Sequence, residues 1–241
     1  MKKITLFALG LLTITSLAAQ DQTPKKKKET IDLSGRANDH LMLQIGYSGW
    51  TGTPDTINLK NPSKALNVYF MFDFPFKTNP KISVGAGLGL SNDNIRFDKT
   101  YVGIKETTTT MPFRNLADTN HFKKSKLVTT YLEAPIELRY TAKPLESGKS
   151  FKFAIGVRAG LLLNAHTRYR ALQNKNGNTI NDYVMKEASK RYFNTTRISG
   201  IARIGYGHFS LFGSYQLTTL FKEGVAAEIR PFAVGLTISG L

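Results

Sequence analysis

Six charged residues stand where the chain otherwise alternates like a strand. They are Glu133, Glu137 and Arg139 in YLEAPIELRY (131–140), Lys152 and Arg158 in FKFAIGVRAGLLL, and Arg203 in RISGIARIGY. Each falls on the polar half of a period-2 pattern whose other half is Leu132, Ala134, Ile136, Leu138 and Tyr140 or its equivalent. In a dry interior such groups must pair, because an unpaired buried charge costs several kcal/mol. A hairpin turning near residue 145 would set Glu133 near Arg158 and Glu137 near Lys152. The expected result is an internal salt-bridge stack that fixes register; the functional alternative for the same residues is a proton or ion path. Pro135 lies mid-strand and removes a ladder hydrogen bond, which predicts a local bulge or bend.

Other chemistry finds little footing. His40, His121, His166 and His208 are scattered singly, without an acidic partner at metal-ligand spacing, so neither a metal nor a catalytic centre is expected. Of the four, His166 alone suits a rim position in a lipid-modifying barrel enzyme, and its parity points it inward. The segment GAGLGL (85–90) faintly echoes a dinucleotide loop, but no helix follows it, and no cofactor is expected.

Eight alternating segments position these residues: LMLQIGYSGW, ALNVYFMFDF, ISVGAGLGL, the strand through 128–140, FKFAIGVRAGLLL, RISGIARIGY, FSLFGSYQL and PFAVGLTIS. Their connections alternate long and short. Short ones lie at 77–80, 141–149 and 207–208; long, polar ones at 51–64, 98–124 and 167–194, with 222–228 a modest last member. An up-and-down meander with one smooth end and one elaborate end has the layout of an eight-stranded transmembrane β-barrel, with short periplasmic turns and long outer loops. Within the third long loop, INDYVMKEASKRYF (180–193) carries enough helical periodicity for a short helix.

The N-terminus addresses compartment. Residues 1–20 combine Lys2 and Lys3, an apolar run and a small-residue site near Ala19/Gln20, the pattern of a cleaved secretory signal peptide. Residues 21–39, including Lys25–Lys28, are too polar to bury and read as a basic linker; 40–241 form the barrel. Losing the signal removes two lysines and no acid, so a net charge of +16 becomes +14. For an exported basic chain the expected anionic neighbours are outer-membrane lipid and lipopolysaccharide rather than nucleic acid. The chain has no cysteine, which excludes disulfides.

Two features orient the faces. Glycines crowd the polar face (Gly85, Gly87, Gly89, Gly156, Gly160), where a narrow barrel interior needs room for neighbouring side chains. Phe76, Tyr140, Phe151, Tyr206 and Phe209 gather on the apolar face beside the short turns, as an interfacial aromatic girdle does.

At Tyr131, Leu132, Glu133, Pro135, Arg139 and Tyr140 the chain resembles the PorT-like outer-membrane β-barrel family. A softer likeness runs through GIARIGYGHFSLFGSYQLTTLF and PFAVGLTISGL. The resemblance implies an eight-stranded barrel in the outer membrane, and for some members a part in a protein-secretion and gliding apparatus. The reading that follows is a non-enzymatic, monomeric barrel with a plugged polar lumen, acting through outer loops or envelope contacts. A secretion accessory is the second reading and a lipid-modifying enzyme the third.

Overall fold

The computed structural model describes residues 41–240; the expected signal peptide and basic linker lie outside the described residues. Eleven strands run in order: β1 (Leu41–Thr51), β2 (Leu59–Pro75), β3 (Ile82–Phe97), β4 (Thr100–Val102), β5 (Phe113–Asn115), β6 (His121–Thr141), β7 (Phe151–Gln173), β8 (Thr179–Ala188), β9 (Thr196–Tyr206), β10 (Phe209–Gln216) and β11 (Arg230–Ser239). Eight of them close a ring, β6-β3-β2-β1-β11-β10-β9-β7, sealed by the β6–β7 pair. Every pairing is antiparallel, so the ring is an up-and-down barrel with no free edge in its wall.

Three turns at one end are short: 76–81, the 3-10 turn Pro144–Lys149, and Gly207–His208, where Gly207 supplies a positive φ of 61°. The opposite end carries the elaborate connections. There β4 and β5 form a hairpin of their own, and β8 pairs with the upper half of β7 outside the ring.

The segment expected to hold a short helix forms β8 instead. Asn176-Gly177 closes a hairpin between Gln173 and Thr179, with Gly177 at φ 85°. From there Tyr169↔Met185 and Arg168↔Lys186 keep pace with β7, and ladder pairing overrides the weak helical pattern. The wall strands also run farther than alternation of apolar residues shows. β6 and β7 span 21 and 23 residues, and their upper portions are polar outside.

At Pro135, where a bulge or bend is expected, no residue is inserted, although the β3 ladder is interrupted beside it. Glu133↔Gly160, Pro135↔Arg158 and Glu137↔Gly156 step evenly, and the β3 register resumes unshifted from Ala86↔Ile136 to Gly89↔Glu133. The missing donor costs ladder pairing beside Gly87 and Leu88 but needs no inserted residue. The bulge sits elsewhere: Thr130 pairs Asn164 while Tyr131 pairs Leu162, leaving Leu163 as an extra residue on β7. One extra residue reverses the side-chain parity of β7 above it.

Two environments stack inside the ring. The lower interior is polar. The upper interior holds an apolar cluster with Trp50, Phe97, Leu127, Leu162, Tyr192, Phe193 and Phe221 at its centre. Outside, the order inverts. The lower wall exposes Phe70, Phe72, Leu88, Leu138, Ile155, Ile204 and Leu236, and the upper wall exposes polar and basic groups.

Candidate functional site

The lower interior is built by cross-strand rows in which glycine alternates with large side chains. One row reads Tyr69, Gly89, Glu133, Gly160, Arg197 across β2, β3, β6, β7 and β9. Because Gly89 and Gly160 carry no side chain, the Tyr69 hydroxyl and the Arg197 guanidinium both reach Glu133 between them. A Cβ on Gly89 would lie 2.5 Å from Tyr69 Cδ1, and one on Gly160 3.1 Å from both Glu133 and Arg197 side chains.

Glu133 accepts from Arg197 Nε at 2.6 Å and from the Tyr69 hydroxyl. Arg197 also donates through Nη1 to Asp93 Oδ2 at 2.8 Å and through Nη2 to Ser91 Oγ at 2.7 Å. Its guanidinium lies 3.9 Å from the Tyr131 ring centroid. Arg158 lies over the Tyr69 ring at 4.9 Å and donates to Gln44 Oε1 at 2.7 Å. Since β7 and β1 stand four places apart in a ring of eight, that bond spans the lumen.

A second cluster lies nearer the short turns. Glu137 Oε2 accepts from Arg203 Nη2 at 2.5 Å and Arg139 Nε at 3.0 Å, and Arg139 Nη1 approaches Asp73 Oδ1 at 3.5 Å. Among the described residues Glu137 Oε1, Arg139 Nη2 and Arg203 Nε have no hydrogen-bond partner, as Arg158 Nε and Tyr131 Oη have none in the first cluster. Across both clusters Asp73, Asp93, Glu133 and Glu137 face Arg139, Arg158, Arg197 and Arg203, so carboxylates balance guanidiniums.

The structure thus brings Glu133, Glu137, Arg139, Arg158 and Arg203 into one lumen, with different partners from those that hairpin geometry predicts. Glu133 lies near Arg158, with which it lines one small cavity, but its direct ion pair is with Arg197, because Arg158 stands opposite Pro135 and turns across the barrel. Glu137 pairs with Arg203 and Arg139 rather than Lys152, which stands opposite Thr141, four positions nearer the turn end. Tyr69, Asp93 and Gln44 escape single-strand reading, since their role depends on strands brought around the ring. Arg197 carries a signal in the sequence: it shares the parity of Arg203 on the same strand.

Phe76, Tyr140, Phe151, Tyr206 and Phe209 are all exposed on the outer wall beside the short turns. Neighbouring pairs Phe151↔Tyr206 and Tyr206↔Phe209 put three of them on one row. His166 corrects its expected direction. Above the Leu163 bulge, even-numbered residues of β7 face out, so His166 lies on the outer wall, with Asn164 Nδ2 3.2 Å from its Nδ1. Half-burial lowers its pKa below the ordinary 6.5, and Lys186, Lys126 and Arg168 lower it further. Among the described residues no group of three metal-ligating side chains converges.

The outer membrane protein beta-barrel domain family matches residues 19–239 of this chain. The chain belongs to that family. In an outer-membrane barrel the exposed apolar belt is the lipid-facing surface. On β6 it runs from Leu132 to Tyr140, nine residues, or roughly 23 Å along the axis at a rise of ~3.4 Å and a tilt of ~40°. That matches the ~25 Å apolar band such barrels present. Above the band the outer wall turns polar while the interior turns apolar.

Among solved structures, the attachment invasion locus protein Ail of Yersinia pestis is similar at 12% identity, covering 83% of this chain and 95% of that one, with a TM-score of 0.34. The same protein in complex with the heparin analogue sucrose octasulfate is similar at 10% identity over the same shares, with a TM-score of 0.33. No curated protein matches at a significant level.

Proposed function

We propose that this outer-membrane barrel is a non-conducting, non-enzymatic scaffold whose closed lumen holds a rigid crown of loops for contacts outside the membrane. The observation that carries this is the Arg158–Gln44 bond across the lumen, in the same layer as Tyr69, Glu133 and Arg197. The polar cavity beside that layer measures about 20 Å³, the space of one water molecule. The apolar cluster around Trp50 and Phe221 closes the lumen above it. An ion would have to break both layers to pass.

The crown is pinned rather than loose. The Tyr169 hydroxyl accepts from Val102 N at 2.9 Å and donates to Val102 O at 2.8 Å, tying the β4–β5 hairpin to β7. The Tyr192 hydroxyl lies 2.6 Å from Glu106 O, and Met111 N donates to Val225 O at 2.8 Å, joining the second, third and fourth loops. Preorganised loops bind without an ordering cost. The narrower likeness to PorT-like proteins, carried by residues 131–140, belongs to this proposal, with an envelope complex as the partner class.

Planar-bilayer recording of the purified barrel is the test. Silent bilayers with folded, heat-modifiable protein are expected, and steady open-channel currents overturn the closed lumen.

A further inference from the structure

Directly above the lipid belt the outer wall carries a row of like charges. The register places Lys60 opposite Arg96, Arg96 opposite Lys126, Lys126 opposite Arg168, and Arg168 opposite Lys186, five cations abreast on β2, β3, β6, β7 and β8. Lys64 and Lys124 flank the row on the same face, and the groove between them is lined by Lys64, Asn94, Arg96, Lys126, Arg168 and Arg170. Like charges directly opposite across a ladder repel.

Little in the protein offsets this. Lys60 pairs with Asp98 at 2.7 Å, and Arg170 approaches Asp182 at 3.6 Å. Among the described residues Arg96, Lys126, Arg168 and Lys186 have no carboxylate within ion-pair distance. Burial is the first cause lowering the Lys126 pKa, and the neighbouring Arg168 and Arg96 lower it further.

Height selects the occupant. Lys126 stands six residues above Leu132 on β6, and Arg96 six above Leu90 on β3. Six residues rise about 20 Å along a strand and, at ~40° of tilt, about 15 Å along the barrel axis. A phospholipid headgroup layer is only about 6 Å deep. The intervening outer wall is neutral and hydrogen-bonding: Asn92, whose amide donates to Thr130 at 2.9 Å, then Asn94, Asn164 and His166. Apolar wall, amide and hydroxyl zone, then cations: this sequence is complementary to acyl chains, sugars and sugar-borne phosphates in that order.

We infer that the Arg96–Lys126–Arg168–Lys186 row is a binding site for the phosphorylated saccharide of outer-leaflet lipopolysaccharide. The site is independent of the closed lumen and rests on the family placement with the long loops facing outward. It anchors the barrel wall at a fixed height and relieves the cation row, which is the energetic reason for both.

The test uses the full mature chain, folded in detergent micelles and titrated with lipopolysaccharide, enzymatically dephosphorylated lipopolysaccharide, phosphatidylglycerol and sucrose octasulfate. Binding is read by mobility shift and by the rise in unfolding temperature. Lipopolysaccharide is expected to bind best and to weaken with added salt. A surface cation is worth about fivefold, so R96Q/K126Q/R168Q should bind about a hundredfold more weakly while remaining heat-modifiable. Its bilayer silence should be unchanged, which separates this site from the closed lumen. Equal binding of the dephosphorylated form, of phosphatidylglycerol, or of the triple variant overturns the assignment. So does tight binding of sucrose octasulfate without lipopolysaccharide binding, which would mark a site for a soluble polyanion.

Discussion

Replacing Arg197 with methionine tests the lumen network most directly. Arg197 holds two carboxylates and a hydroxyl at 2.6–2.8 Å, with only 7% of its side chain exposed. Methionine fills similar volume but leaves Glu133 with Tyr69, and Asp93 with Ser48 at 3.4 Å, as their nearest remaining partners. Breaking one partner out of a buried ion pair costs ~3–5 kcal/mol, so R197M should lose about that much. Glu133→Gln is milder, because Arg197 keeps Asp93 and Ser91; losing one hydrogen bond to a charged group costs ~2 kcal/mol. In R197M/E133Q the glutamine no longer strands a charge, so the double variant should be more stable than the sum by ~2 kcal/mol, within the range for contacting residues. Urea unfolding in lipid vesicles measures this. The chain's single tryptophan, Trp50, reports it: its ring is 5.5 Å from Phe97 and 6.0 Å from Phe221, and it moves to water only when the upper barrel opens. Additive single losses within ~0.5 kcal/mol, or an R197M loss below ~1 kcal/mol, would refute the argument that Arg197 is the hinge of the network.

Two further outcomes follow from the same geometry. A Cβ at Gly85 would sit 2.4 Å from Arg139 Nε and push the guanidinium off Glu137, whereas one at Gly213 meets nothing within 4 Å. Gly85→Ala should therefore destabilise by ~1–3 kcal/mol in vesicle unfolding, and Gly213→Ala should not; equal effects would contradict the packed lumen. His166 titrates below 6.5 in the folded barrel, so as pH falls through 6.5 the unfolded chain takes up a proton that the native one resists, and stability declines. Its NMR titration should move upward when phosphorylated saccharide neutralises Lys126, Arg168 and Lys186, and an unmoved titration would place the anion elsewhere.

Much of the architecture is legible in the chain because lipid imposes it. Exposed apolar residues alternate with polar ones from Leu132 to Tyr140 for the simple reason that the two faces meet hydrocarbon and a crowded lumen. The eight wall strands and their long–short rhythm are read from that alternation. It fails where lipid stops. Above the belt both the outer wall and the loops are polar, so the upper halves of β6 and β7 read as loops, and β8 reads as a helix. A bulge needs only one extra residue, and nothing about Leu163 sets it apart from its neighbours. Pro135, the residue that does draw attention, is accommodated with no extra residue at all.

Composition and alternation therefore determine the class of the protein, the face the lower strands turn to lipid, and that Glu133, Glu137, Arg139, Arg158 and Arg203 go inside. They do so because both signals are local, residue against neighbour on one strand. Which acid meets which base is decided only by closure of the ring. That closure sets Glu133 beside Arg197 and sends Arg158 across to Gln44, over separations of 64 and 114 residues. The cation row has the same origin: Lys60, Arg96, Lys126, Arg168 and Lys186 come from five strands and become one surface only when register aligns them. Partner choice is a property of distance in space, and no single strand contains it.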